Sequence, residues 1–403
     1  MDKYESYAGV EFQPSYWRIG VSRMVAPLGV KVRGGSLRWT ERRVPAEVAT
    51  RTDWVALRPL MAGICGSDLS ILRGKSSPYL APLASFPAVL GHEIAAEVTE
   101  GGDRWPPGTR VVVDPLLACA ARGYQPPCAA CQAGQPDDCQ RRGDQDTGPG
   151  LLLGYHHRWP GGWSTRMFAP ADQCWPVPDT MPLERAVLAE PLATVLAGLE
   201  RIAVPEGADV LVIGAGTIGL LAAWALRERT PAAQIHVLAR YAHQQRLVQA
   251  LGAVSWDGRS NGSPSGDVLG SRLQGKIFGA PEYFVGGYPV VVDAVGTAES
   301  TGNALAWTNS GGTVLALGAG GQMRLDVTPL WSRSITWVGT HGYRDRHGNS
   351  LFPRAVEMLD QAPDAMESLV THRFALQDFA KALETIWDRT TPSIKVTLVP
   401  AHP

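Results

Sequence analysis

The chain has 403 residues, 45% of them hydrophobic and 19% charged, which is long enough for two domains and typical of a folded globular protein. Its 37 Lys and Arg against 38 Asp and Glu leave no basic surplus for a nucleic acid partner. The N-terminal "MDKYESYAGV" lacks the apolar core of a secretory signal, so the expectation is a cytoplasmic protein, where clustered cysteines hold a metal more often than a disulfide.

Up to about residue 185, short β-rich runs such as "EIAAEVTE" and "RVVVDP" alternate with Gly/Pro turns, which predicts an irregular β domain. Within it, "AGICGSDLSILRG" (62–74) and "GHE" (91–93) supply a cysteine, a histidine and carboxylates. Such donors hold a tetrahedral zinc and leave one position open for water or substrate. Cys65 is expected as the thiolate ligand, His92 as the imidazole ligand, and Asp68 as the acceptor that fixes the His92 tautomer. Four of the six cysteines then fall between residues 118 and 139. Cys128, Cys131 and Cys139 follow a C-x2-C-x7-C spacing, and Cys119 stands upstream across a gap of eight residues. Arg122 and Arg141 beside this loop are expected as surface charges, Cys174 as a buried structural cysteine, and the 13 tryptophans mostly as core and interface packing.

From about residue 190 the texture changes to apolar strands alternating with helices: "DVLVIG", "TIGLLAAWALRER", "QIHVLA", "QRLVQALGA", "PVVVDAVG", "GGTVLALG" and "ITWVGT". This predicts a parallel sheet covered on both faces. The uncharged run 210–226 approaches transmembrane length, but its spaced glycines read as a strand followed by a helix, so no membrane partner is expected. Gly214, Gly216 and Gly219, with Thr217 and Ile218 between them, form a G-x-G-x-x-G after a strand and at a helix start, the context of a dinucleotide site. An acid is usual about 20 residues further on; here "HVLARYAHQQR" has none and Arg240 stands near that place. A guanidinium suits a 2′-phosphate, which favours NADP(H) over NAD(H). "DGRSNGSPSGD" (257–267) reads as an exposed insertion, and "DAVG" (293–296) and "LGAGG" (317–321) as strand-end loops near a nicotinamide.

"GICGSD", "GHE", the cysteine loop, "EPLATVLAGL" and "VIGAGTIG" occur in the order seen in the zinc-dependent medium-chain alcohol dehydrogenases, and the chain resembles that family, nearest its polyol and threonine dehydrogenase branch, over almost its whole length. The resemblance implies an α/β protein with a GroES-like β-rich catalytic domain, residues 1–188 with 342–403 returning to it, and a Rossmann doubly wound parallel-sheet domain over 189–341. It implies two zinc ions per chain, hydride transfer between the nicotinamide cofactor and a small secondary alcohol or ketone, and a homodimer or homotetramer. Glu93 and Glu190, of Glu190-Pro191, are the carboxylates it places at the catalytic zinc, without deciding which binds at rest. Ser67 matches the relay hydroxyl that passes the alcohol proton outward.

Two departures stand out. Five residues after Cys65, where many relatives carry the histidine that ends the proton relay, this chain has Ser70; His156 and His157 are the candidate substitutes. The family's structural zinc lobe reads C-x2-C-x2-C-x7-C, which puts Gln125 at the first ligand position, so Cys119 has to loop back for a four-thiolate site. Competing readings are a reductase of a conjugated double bond or iminium on the same fold, with zinc only structural, and a non-catalytic protein that kept the fold. Ser70 speaks for the first and the intact Cys65, His92 and Glu93 against it; the second needs lost ligands or a broken glycine motif, and neither is seen.

Overall fold

A computed structural model describes residues 6–18, 35–45, 48, 51–101, 104–258, 272–273, 283–388 and 390–400. Most of the Ser/Gly-rich insertion, from residue 259 on, and the first five residues lie outside these. The chain forms two units, one of Met1–Glu190, His347–Ala362 and Val370–Pro403, the other of Pro191–Arg346 and Pro363–Leu369.

In the first unit, short extended runs separated by Gly and Pro build sheets rather than helices. A seven-stranded sheet runs in the order Val370–Ala375, Lys395–Val399, Trp54–Gly63, Ile94–Glu100, Arg110–Val113 and Cys174–Pro176, and Met167–Pro170 pairs with Trp54–Gly63 off this path. Ser6–Pro14 lies between Gly35–Arg43 and Ala88–Val89 in a separate three-stranded sheet. Trp54–Gly63 is buried along nearly its whole length because strands flank it on both sides, and Leu57, Val98, Val113, Leu117, Leu153 and Met167 are fully buried in its core. Each fully buried aliphatic side chain there contributes about 1.5–3 kcal/mol. The register matters for the chemistry. Ala62 pairs with Ile94 and with Leu398, and Gly63 with Thr397, so the end of this central strand lies beside the starts of its two antiparallel neighbours.

In the second unit, six parallel strands run Val254–Trp256, Ile235–Leu238, Val210–Ile213, Tyr288–Asp293, Thr308–Ala316, Thr336–Gly339. The chain therefore builds outward from Val210–Ile213 in one direction and then restarts on its other side, which opens a crevice at the strands' carboxyl ends between Val210–Ile213 and Tyr288–Asp293. Val210–Ile213 is wholly buried, as an aliphatic run in the middle of a parallel sheet must be. The long uncharged run is this strand plus helix Thr217–Arg229, and among the described residues no helix is long and apolar enough to cross a membrane.

Candidate functional site

Three strand ends converge in the first unit, and with them Cys65, His92 and Glu93, whose ligating atoms all lie within 4.8 Å of one another. Cys65 follows Trp54–Gly63 and precedes helix Gly66–Leu72; His92 and Glu93 stand just before Ile94–Glu100. A thiolate, an imidazole and a carboxylate at this spacing are a zinc donor set. Burial works against a charged imidazole at His92, but the neighbouring Asp68 carboxylate and Cys65 outweigh it and hold His92 well above its ordinary value. The same anionic field attracts a divalent cation.

Asp68 lies beside His92, yet the expected hydrogen bond between them is not made: His92 Nδ1 to Asp68 Oδ1 is 3.6 Å, and Nδ1 has no hydrogen-bond partner. The carboxylate is committed elsewhere. Its Oδ2 accepts the Cys65 backbone N–H at 2.9 Å, capping the helix start, and its Oδ1 accepts the Tyr155 hydroxyl at 3.0 Å.

The sequence reading missed Lys395, the first residue of the final strand. Its buried ammonium donates to both oxygens of Glu93, to Oε1 at 2.6 Å, and to the Ile64 carbonyl at 3.3 Å. Burial lowers the lysine, but Glu93, Cys65 and Glu190 outweigh it and leave the group above its ordinary value. Glu93 is thus paired with Lys395, and Gly63 makes the room: a Cβ there would lie 1.7 Å from Glu93 Oε2. Glu190, in the first turn of helix Ala189–Leu199, is buried and acts on Lys395, but it does not fall within the 4.8 Å grouping.

Ser67 lies 2.8 Å from the Tyr155 hydroxyl, while Ser70 turns its hydroxyl back onto the Gly66 carbonyl. His156 and His157 are bonded away from Ser67. His156 Nε2 faces the Thr147 and Gly148 carbonyls at 2.9 and 3.2 Å and its ring stacks on Trp159. Burial, with Arg122 and His157 nearby, brings it down to about 3, so it stays neutral. His157 Nδ1 bonds Ser85 Oγ at 2.8 Å. Both rings hold loops together, and it is the residue before them, Tyr155, that reaches Ser67.

All four loop cysteines come together. Cys119 opens the short helix Cys119–Arg122, Gly123 ends it in the left-handed region at φ 71°, and the chain turns back to Cys128. Cys119 Sγ is 3.7 Å and Cys128 Sγ 3.9 Å from Cys139 Sγ. A disulfide would need about 2.05 Å. Four sulfurs each about 2.3 Å from a central zinc stand about 3.8 Å apart, the spacing seen here. Burial raises the Cys128 thiol, but N–H groups of Cys131 and Gln140 outweigh that and bring it to about 6, while burial raises Cys131 and Cys139. Gathered thiols resist ionising together unless a cation joins them.

Arg122 is not the surface charge expected of it. It is buried, and donates to the Leu117 carbonyl at 3.0 Å, to Thr147 Oγ1 at 2.6 Å and to the Gly148 carbonyl at 2.8 Å, since the lobe's inward carbonyls need donors. Arg141 pairs with Asp144 and lies over the Tyr124 ring at 3.6 Å. Cys174 is buried and bonds the Pro170 carbonyl.

In the second unit the glycine motif follows Val210–Ile213. Gly214 has φ 101°, a conformation open only to glycine at low cost, and a Cβ on Gly219 would lie 1.8 Å from the Gly214 carbonyl, so the helix packs on the turn only without a side chain. A Cβ on Gly216 would meet nothing within 4 Å, which leaves the helix N-terminus, with Thr217 and Ile218 in its first turn, open to an anion. "DAVG" and "LGAGG" pack backbone to backbone, a Cβ on Gly318 lying 2.4 Å from the Gly296 nitrogen. A cavity of about 380 Å³ is lined by Leu238, Arg240, Tyr241, Trp256, Glu299 and Trp307, among others. Arg240 and Glu299 pair across it at 2.7 Å, both largely exposed.

Residues 51–179 match the alcohol dehydrogenase GroES-like domain. The chain is 29% identical to L-arabinitol 4-dehydrogenase of Aspergillus oryzae, covering 86% of each, and 29% identical to sorbitol dehydrogenase of Ovis aries, covering 82% of this chain and 85% of that protein. In structure it is similar to a zinc-binding dehydrogenase from Sinorhizobium meliloti 1021 solved with NADP bound, with a TM-score of 0.71, 23% identity, and coverage of 98% of this chain and 99% of that one.

Proposed function

We infer, for a chain that belongs to the zinc-type medium-chain alcohol dehydrogenase family, a zinc-dependent oxidoreductase that passes a hydride between NADP(H) and a secondary alcohol or its ketone. The observation that carries this reading is the convergence of Cys65, His92 and Glu93 next to Ser67. Cys65 and His92 would hold a zinc ion, with Glu93 or Glu190 as its carboxylate, and that ion would supply Lewis acidity to the substrate oxygen. Ser67 hydrogen-bonds that oxygen and passes its proton on to water or to the cofactor ribose. Asp68 holds the Cys65 backbone and the Tyr155 hydroxyl, and so sets the geometry around both. Cys119, Cys128, Cys131 and Cys139 fit a second zinc that braces the lobe and takes no part in the reaction. A conjugated double-bond reductase needs no such convergent donor set, so that reading is not favoured.

Gly214, Gly216, Thr217, Ile218 and Gly219 receive the pyrophosphate at the helix N-terminus, and Arg240, lining the adjoining cavity, takes the 2′-phosphate. Its exposed pairing with Glu299 is worth no more than about 1 kcal/mol, so a phosphate dianion displaces it. A homodimer or homotetramer completes the reading.

Absorbance of the nicotinamide during turnover of secondary alcohols and ketones tests the reaction; failure across a broad panel with both cofactors, or activity on conjugated double bonds alone, overturns it. Arg240→Ala is expected to weaken NADPH binding about 10- to 100-fold, the worth of a charge-assisted pair, while NADH changes less than about threefold. Equal losses for both cofactors remove the case for NADP(H).

A further inference from the structure

Ser70 leaves open what governs the Ser67 hydroxyl. Tyr155 occupies the place in question. Its hydroxyl is 2.8 Å from Ser67 Oγ and 3.0 Å from Asp68 Oδ1, its ring is 5.3 Å from that of His92, and the residue is buried. The placement is built into the backbone. Gly154 has φ 89° and packs so closely on the residue before His92 that a Cβ would lie 2.9 Å from the Gly91 carbonyl, while the Tyr155 N–H and carbonyl are bonded to Leu152 and Ser85. This fixes the ring over the first turn of Gly66–Leu72, where both its acceptors lie.

A phenol has one hydrogen, and here it has two acceptors. Given to Asp68, the hydrogen leaves both lone pairs of the Ser67 oxygen free to accept from other donors. Given to Ser67, it takes one of those lone pairs and directs the serine's own hydrogen away from Tyr155, toward a further oxygen. Rotation about the C–O bond alone changes one state into the other. Resting on the reaction proposed above, we propose that Tyr155 is a positioning residue that sets the polarity of Ser67: donating to it when Ser67 donates to a carbonyl oxygen, and turning to Asp68 when Ser67 accepts from an alcohol. Tyr155 itself neither gains nor loses a proton. Its role is to keep Ser67 in one orientation at a time, so its contribution passes entirely through Ser67.

The test is a cycle of Tyr155→Phe, Ser67→Ala and the double variant, made in the metal-loaded full chain with an alcohol and a ketone that the wild type turns over. Tyr155→Phe is expected to lower kcat about tenfold, with KM within about twofold, as for the loss of one orienting hydrogen bond. In the Ser67→Ala background it is expected to cost less than about twofold. Zinc retention against a chelator, a readout independent of turnover, is expected to stay within about twofold of wild type, since the Tyr155 hydroxyl bonds Ser67 and Asp68 rather than Cys65, His92 or Glu93. Replacement of Tyr155 by para-aminophenylalanine, whose two N–H groups serve both acceptors at once, is expected to keep kcat for ketone reduction within about threefold of wild type, and decides the matter if the phenylalanine variant does not fold. Wild-type kcat in Tyr155→Phe, a full tenfold loss added to that of Ser67→Ala, weakened zinc retention, or a folded para-amino variant with tenfold-reduced ketone turnover overturns the inference. In each of these cases the wild type is active and the reaction class stands; only an inactive wild type would remove both.

Discussion

Protein stripped of metal by a chelator is expected to lose turnover at least about a thousandfold, a change of ~4 kcal/mol in transition-state stabilisation, and to regain it on adding zinc. The argument rests on the donor set. Cys65, His92 and Glu93 are gathered within 4.8 Å, and the Lys395 cation beside them is engaged with Glu93. Two losses are expected in sequence. On the proposed assignment the catalytic ion, held by three residues with an open position, is given up first, and activity falls while the fold persists; the ion of the four-cysteine lobe follows, and thermal stability falls with it. Elemental analysis is expected to give about two zinc ions per chain, and about one in Cys119→Ser, with a lowered Tm and kcat for the folded fraction within a few-fold of wild type. Full activity in metal-free protein would refute the catalytic assignment. Two zinc ions retained by Cys119→Ser would show that Cys119 is not a ligand.

Removing the Lys395 ammonium by Lys395→Met is expected to destabilise the protein by about 3–5 kcal/mol, because it leaves the Glu93 carboxylate buried beside Cys65 without its partner. For a domain of this size that is a fall in Tm of roughly 10 °C. The decisive comparison is the double variant Lys395→Met/Glu93→Gln. It removes both charges, and most of the lost stability is expected to return, since the cost lies in the uncompensated charge rather than in the lost contact. Thermal unfolding of metal-free protein, wild type and variants alike, reads the effect, because a bound zinc ion would itself serve Glu93. An unchanged Tm in the single variant, or no recovery in the double, would mean that water or another cation serves Glu93.

How much of this was legible beforehand varied from residue to residue. Cys65, His92 and Glu93 stand out because two short motifs hold them, and the glycine turn because a strand, three spaced glycines and a helix are contiguous in the chain. The pairing of the two metal-site motifs, however, is made by the register of Trp54–Gly63 with Ile94–Glu100. Asp68 is expected from the sequence as the acceptor that fixes the His92 tautomer; nothing local shows that its carboxylate is committed to the Cys65 backbone and Tyr155, which leaves it 3.6 Å from His92 Nδ1. The two histidines after Tyr155 drew attention because imidazoles titrate near neutrality; the phenol beside them had no such signal. Arg122 looked like a surface charge since nothing local reveals that the lobe folds its carbonyls inward around it.

The sequence by itself determined the chemistry on offer and its local geometry: which thiols, imidazoles and carboxylates exist, and where the backbone must turn without a side chain, because both depend on residues only a few positions apart. Tertiary structure alone decided which of those groups meet. Lys395 reaches Glu93 from 302 residues away, Tyr155 reaches Ser67 in the helix Gly66–Leu72, and Cys119 joins the other three cysteines across a gap that spacing does not specify. Contacts of that range follow from strand register and backbone packing, which depend on burial across the whole unit and leave no periodic mark in the chain.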